Sequence, residues 1–236
     1  MHEADGRQTA GDPRGGRAAI GRRTVDELPA YVLHDLRRLV RSAALELGTA
    51  WPDSQRVGGA IEGVPAGVCI GLIEAVRAGA ARVDGSRFSV DPPTGPSRWF
   101  PLFVRTLRGG PRLSLRRALQ IHEYHRVASI ARQRDWRVDA VTGAFDVVAV
   151  GEDRRWCIEV VDRPSRVGAL VREVTRQGLA IDLDGPASTS GPLHLARSLH
   201  LGGATHFSVV APGHRRDHSV HHGDRCVVLT ADIAPC

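Results

Sequence analysis

A first stretch with no hydrophobic pattern gives way to a regular alternation of helical and strand-like segments. Residues 1–25 are rich in Gly, Arg and Ala, carry almost no large apolar side chains and show no period. Such a segment cannot bury enough surface to offset its ordering entropy, so a disordered basic tail is expected. From Asp26 the pattern changes. Leu33, Leu36, Val40, Ala43 and Leu47 recur at helical spacing and Gly48 supplies a stop, which predicts a helix over 29–47. Asp53 or Ser54 can cap a short helix running through Glu62, and Gly63-Val64-Pro65 breaks it. A third helix sets Val68, Leu72, Ile73 and Val76 on one face and ends at Gly79. Ala81 to Val90 then holds two short β-prone runs around Asp84-Gly85, a hairpin signal.

Residues 92–112 read as a linker. Asp91 to Ser97 contains three prolines and a glycine, which continue neither helix nor sheet, and Gly109-Gly110-Pro111 is a second breaker. Between them, the apolar run Trp99 to Val104 is expected to pack between the two halves. Beyond it, Ser114 can cap a long helix ending near Arg134, with Ala118, Ile121, Tyr124, Ala128 and Ala131 on one stripe. Three β-prone segments follow at 137–142, 145–150 and 155–161, the last two joined by the turn Gly151-Glu152-Asp153. A helix over 165–177 points Val167, Leu170, Val171 and Val174 inward and stops at Gly178. A shorter helix near 193–200 and strands at 205–210 and 225–229 complete the order α-β-β-β-α-α-β-β, which predicts an α/β domain with a mixed sheet flanked by helices.

Composition removes several classes. In 236 residues, apolar positions make up 42% and charged positions 25%, the balance of a globular chain. No apolar run reaches the roughly 18–20 residues that span a bilayer, and the N-terminus lacks the apolar centre of a secretory signal, so a cytoplasmic protein with no membrane partner is expected. The four cysteines are scattered and form no CxxC pair, which disfavours a zinc cage or a disulfide framework. There is no lysine: all 32 basic residues are arginine, and the net charge is +6. That charge suits an anionic partner such as nucleic acid without demanding one.

Three helices followed by a hairpin, over 26–91, resemble a winged helix-turn-helix domain; the segment Gly71 to Gly79 followed by the Asp84-Gly85 wing carries the likeness. In that family the third helix enters the DNA major groove and the wing touches backbone, which here implies DNA contacts from Arg77, Arg82 and Arg87. The third helix offers few other polar side chains, chiefly Glu74, so sequence-specific readout is weakly served.

The informative polar residues of the second half lie within apolar strands. Asp146 opens Phe145-Asp146-Val147-Val148-Ala149-Val150, and Glu159 sits inside Trp156-Cys157-Ile158-Glu159-Val160-Val161. Adjacent antiparallel strands with a short turn would bring the two carboxylates together, where they repel unless a cation or a proton lies between them. Magnesium suits such a pair, being held by one or two carboxylates with phosphate and water completing its shell. A solvated face or arginine pairing would account for the same two acids without a metal. A helix with Glu123, a strand, a strand with Asp146 and a strand with Glu159 together resemble the core of the PD-(D/E)XK nuclease superfamily, over residues 113–236. The resemblance implies a restriction-endonuclease-like fold, Mg2+ or Mn2+ held by Asp146, Glu159 and Glu123, and catalysis of DNA phosphodiester hydrolysis. It also points to Gln177 as a helix-borne site residue; Arg163, nearby in the chain, stays protonated and is a candidate to stabilise charge on a phosphate of DNA. It departs from the family at one position: the catalytic lysine two residues after the Glu is Val161, and no lysine exists elsewhere to replace it.

Two function classes follow. One is a DNA-binding protein, alone or as a homodimer, whose nuclease-like domain hydrolyses DNA with a divalent metal. The other is a degenerate nuclease fold acting as a non-enzymatic DNA-binding or regulatory module; a protein-interaction module that touches no nucleic acid is a third arrangement of the same elements. His122-Glu123-Tyr124-His125 does not make a zinc-protease helix, because the position four after His122 is Arg126. His214, His218, His221 and His222, with Asp217 and Asp224, read as a polar loop. No nucleophile elbow, phosphate-cradling glycine loop or dinucleotide fingerprint is found.

Overall fold

A computed structural model describes residues 25–49, 57–90, 98–107, 110–142, 144–184 and 189–232. The tail expected over 1–25 lies, but for Val25, outside them, as do the expected cap of the second helix and the proline-rich segment 91–97. Helix α1 (Ala30–Glu46) buries Val32, Leu36, Leu39, Val40, Ala43 and Ala44, the stripe that its apolar spacing dictates. The short α2 (Val57–Ala60) and α3 (Ala66–Arg77) follow, α3 starting directly after Pro65. Strands β1 (Arg82–Asp84) and β2 (Arg87–Ser89) pair antiparallel with Asp84 opposite Arg87, leaving Gly85-Ser86 as the turn. Gly85 adopts φ +53°, a left-handed value that side chains resist and that tight hairpins require.

The span expected to be a linker contributes structure of its own. Strand β3 (Phe100–Pro101) adds to β2, and β4 (Phe103–Arg105) pairs with β5 (Pro111–Leu113). Leu102, Phe103 and Leu113 are buried, whereas Trp99 and Val104 face solvent, so the apolar run divides between core and surface.

The second half is a six-stranded sheet between two helical layers. Helix α4 (Leu115–Arg134) leads into β6 (Arg137–Thr142), β7 (Phe145–Val150) and β8 (Arg155–Val160), an antiparallel meander. Helices α5 (Pro164–Gly178) and α6 (Gly191–Leu201) cross over to β9 (His206–Ala211), which lies parallel to β8 as such a crossover allows. Strands β10 (His214–His222) and β11 (Val227–Ala231) complete the spatial order β11-β10-β9-β8-β7-β6. The mixed α/β architecture predicted from the element order is therefore present. The expected polar loop at the histidines is instead strand β10, hydrogen-bonded to β9 on one side and β11 on the other. Its sequence hides the strand because both faces are largely polar, so no alternation of apolar and polar residues marks it.

The sheet separates two apolar layers. On one face, Val147, Ala149, Trp156, Ile158 and Val160 pack into a core shared with α4 and with α1, α3 and β2 of the first half. On the other, Val148, Cys157, Phe207 and Val209 pack under α5 and α6. No seam divides the first half from the second, because a single core runs through α3 and α4. Gly71 is what permits that approach: a Cβ there would stand 1.6 Å from Nδ1 of His122.

Candidate functional site

The register of the meander builds the site. Val147 lies opposite Ile158, so one residue further along, Asp146 at the start of β7 meets Glu159 near the end of β8. Both are buried, at 4% and 9% exposure, in a layer where an isolated charge is costly. Each has specific partners. Asp146 Oδ2 accepts the backbone N–H of Val160 at 2.9 Å and Arg116 Nη2 at 3.0 Å. The same Arg116 nitrogen donates to Glu159 Oε1 at 2.8 Å, so a single guanidinium bridges both carboxyl groups. Arg117 stands 3.9 Å from Asp146 Oδ1, and Gln120, itself fully buried, donates from Nε2 to the Asp146 backbone carbonyl at 3.1 Å while accepting from Arg117 at 2.8 Å. These three residues project from the first turns of α4, which thereby clamps the start of β7.

The electrostatics of the pair are lopsided. Burial, followed by the charge of Asp146, pushes the Glu159 carboxyl up to about 8, and Arg116 only partly offsets this. The two carboxyl groups lie within hydrogen-bonding reach, so a protonated Glu159 donates to Asp146. Its Oε2 is buried with no donor facing it among the described residues. Arg116 and, at 3.9 Å, Arg117 offset part of the pair's charge, and the burial that remains favours a proton on Glu159.

Glu123 is elsewhere. Its Oε2 accepts Arg126 Nε at 3.0 Å and Arg215 Nη1 at 2.9 Å. Arg215 also grips both oxygens of Asp217, at 2.7 and 2.9 Å, and donates to Ser208 Oγ at 3.1 Å. Ser208 donates in turn to Asp217 and accepts Trp156 Nε1 at 2.7 Å. This network pins α4 to the middle of the sheet, with Arg215 and Arg126 stacked near the Trp156 ring at 5.1 and 5.5 Å. Among the described residues no group of three or more His, Cys, Asp and Glu side chains is placed to share a metal ion.

The other expected site residues scatter. Gln177 lies at the far end of α5, about 20 Å along the axis from Pro164 by helical rise, and donates to Glu173 at 3.2 Å. Arg163, at the N-cap of α5 close to the carboxylates in sequence, is 75% exposed and sits 3.6 Å from Asp162. Arg77 pairs with Asp35 at 2.7 Å and lies over the Tyr31 ring, and Arg87 is 3.8 Å from Glu46. Arg82 is exposed on the hairpin. Helix α3 is buried along Val68, Leu72, Ile73 and Ala75 and packs on α4, which leaves Gly67, Glu74 and Arg77 as its exposed positions. The histidines of β10 do not converge: His221 meets Thr230, His222 meets the Ala204 carbonyl, and burial pushes His218 below its usual range.

Sequence reading missed Arg116, Arg117, Gln120 and Arg215. The spacing 116, 120, 123 did carry a signal, since those positions share one helical face. What it lacked was the partner strand. Comparisons with protein-family models, curated proteins and solved structures return no match to this chain. Among the described residues no helix is long and apolar enough to cross a membrane.

Asp146 and Glu159 suit a small hard cation. They supply two adjacent carboxyl groups, one with a buried oxygen lacking a donor, and magnesium is commonly bound through one or two carboxylates plus phosphate oxygens. Arg116 is half exposed, and both of its hydrogen bonds to the pair come from the one nitrogen Nη2.

Proposed function

We propose that this chain binds DNA and hydrolyses its phosphodiester bonds, with Mg2+ or Mn2+ held by Asp146 and Glu159 in a nuclease-like core. One observation carries the reading: two buried carboxyl groups side by side, where burial and the charge of Asp146 raise Glu159 although Arg116 bridges both. The order α4-β6-β7-β8-α5-α6-β9, with three antiparallel strands and a parallel fourth, supports the nuclease-like arrangement. A divalent cation bound there neutralises phosphate charge and lowers the pKa of water. The protein's own residues do the remainder. Asp146, fixed by the Val160 N–H and by Gln120 through its backbone, keeps one carboxylate aimed at the site. Arg116 and Arg117, beside the carboxylates, would contact phosphate oxygens, which arginine grips through its planar fork. Glu123 acts as a positioning residue, holding α4 to the sheet through Arg215.

A second reading has its own support. Val161 stands in the lysine position and is buried, and Arg116 already bridges both acids. In that reading the fold binds DNA without cutting it, the arginine serving in place of the metal. Supercoiled plasmid incubated with the protein and Mg2+ or Mn2+ separates the two. Nicking that needs metal, and that Asp146→Asn and Glu159→Gln abolish in well-folded protein, supports hydrolysis. Binding without nicking on several DNA substrates supports the non-catalytic reading and overturns hydrolysis.

A further inference from the structure

We infer that Arg172 of α5 and Arg216 of β10 form a clamp for a backbone phosphate of a nucleic-acid strand, a contact separate from the carboxylate pair. The nucleic-acid ligand rests on the function proposed above; the clamp itself rests on geometry. A Cβ built on Gly168 would stand 3.5 Å from Arg172 Nη1 and 3.6 Å from Arg216 Nη1, so the two nitrogens are at most about 7 Å apart. Gly168 lies one turn into α5 and, having no side chain, sets no atom of its own beside the two guanidiniums. Both arginines are exposed.

Several arginines around the sheet are paired with acids: Arg116 with Asp146 and Glu159, Arg126 and Arg215 with Glu123, Arg137 with Asp139, Arg166 with Asp162. Arg172 and Arg216 have no acid partner among the described residues. Two unneutralised guanidiniums converging on one gap repel unless an anion fills it, and tetrahedral phosphate offers oxygens to both forks.

The sheet register ties this gap to the carboxylates. Glu159 lies beside Val209, and Val209 beside Arg216. Cross-strand neighbours share a face, so Glu159 and Arg216 point to the same side of the sheet. Two strand spacings separate their backbones, about 10 Å. A single nucleic-acid strand carries a phosphate at every nucleotide, so over so short a distance it can present one phosphate to the carboxylates and a nearby one to the arginine pair. Arginines contacting phosphates give affinity without sequence preference.

The test is binding of fluorescein-labelled single- and double-stranded oligonucleotides, in chelator, across a salt series. Arg172→Ala, Arg216→Ala and the double variant are compared with wild type, and with Arg77→Ala on the exposed face of α3. Inorganic phosphate as competitor and manganese calorimetry complete the set. The clamp predicts that each substitution weakens binding about tenfold and lowers the salt slope by about one, alike for unrelated sequences. Manganese binding and thermal midpoint should stay unchanged, because both side chains are exposed. Gly168→Glu, which places a carboxylate in the gap, should reproduce the loss, while Gly168→Ala should not. Oligonucleotide binding that the double variant leaves intact overturns the clamp but not the proposed function. Loss of inorganic phosphate binding in the double variant, with no oligonucleotide bound by wild type, supports the anion clamp and overturns its nucleic-acid ligand. Absence of both ligands from the wild type overturns the clamp altogether.

Discussion

Glu159→Gln in chelator isolates the strain of the carboxylate pair. Glu159 is raised from its ordinary value near 4.5 to about 8, by burial first and by Asp146 second. Between those values the folded protein holds a proton that the unfolded chain releases. The folded state therefore binds more protons, and stability must fall as pH rises through this window. The contribution is fully present below about pH 4.5 and lost as pH rises through about 8. From pH 5 to 8, at roughly 1.36 kcal/mol per unit, the loss is on the order of 4 kcal/mol. Glutamine keeps the volume and cannot ionise, so the variant should lack this slope. Urea unfolding at a series of pH values should give two curves that run together near pH 5 and separate steadily from there up to about pH 8, the variant being the more stable at pH 8. Burial holds His122 and His218 below their usual range, so their contributions fade as pH falls below about 6.5; they act in the opposite sense and cancel between the two proteins. Saturating manganese should restore stability at pH 8 in the wild type and do little for the variant. Parallel pH curves for the two proteins would refute the account of a buried, proton-sharing pair.

Three further outcomes follow from particular contacts. Gly71→Ala should destabilise the protein by about 1–3 kcal/mol in urea unfolding, because its Cβ displaces the His122 ring at the α3–α4 contact; an unchanged midpoint would mean that the ring moves freely. Arg116→Met should tighten manganese binding measured by calorimetry, since a cation no longer has to displace a guanidinium; weaker binding would show that Arg116 shapes the site rather than fills it. Val161→Lys should lower the thermal midpoint, since Val161 is buried against the α5 layer, and should raise any metal-dependent plasmid nicking per folded molecule; a folded variant with nicking lowered would remove the argument from the missing lysine.

The local patterns were legible because they depend on neighbours in the chain. The stripe Leu36, Val40, Ala43 marked α1, Gly85 marked the hairpin turn, and the short turn after β7 made the contact of Asp146 with Glu159 foreseeable. What pairs with what across long separations was not. Arg215 and Glu123 are 92 residues apart, and only the placing of β10 beside β9 sends that arginine under α4, where it takes the acid that the nuclease resemblance had assigned to a metal. Strand β10 escaped detection for the same reason: its polar side chains are satisfied by partners from α4 and β9, so burial there left no apolar alternation. Helix α5 carried the sequence signal for Gln177, yet helical rise removes that residue from the end of the sheet where Glu159 sits. A residue's type and spacing set what it can do; which charge finally balances it is decided by the strand or helix that the fold lays against it.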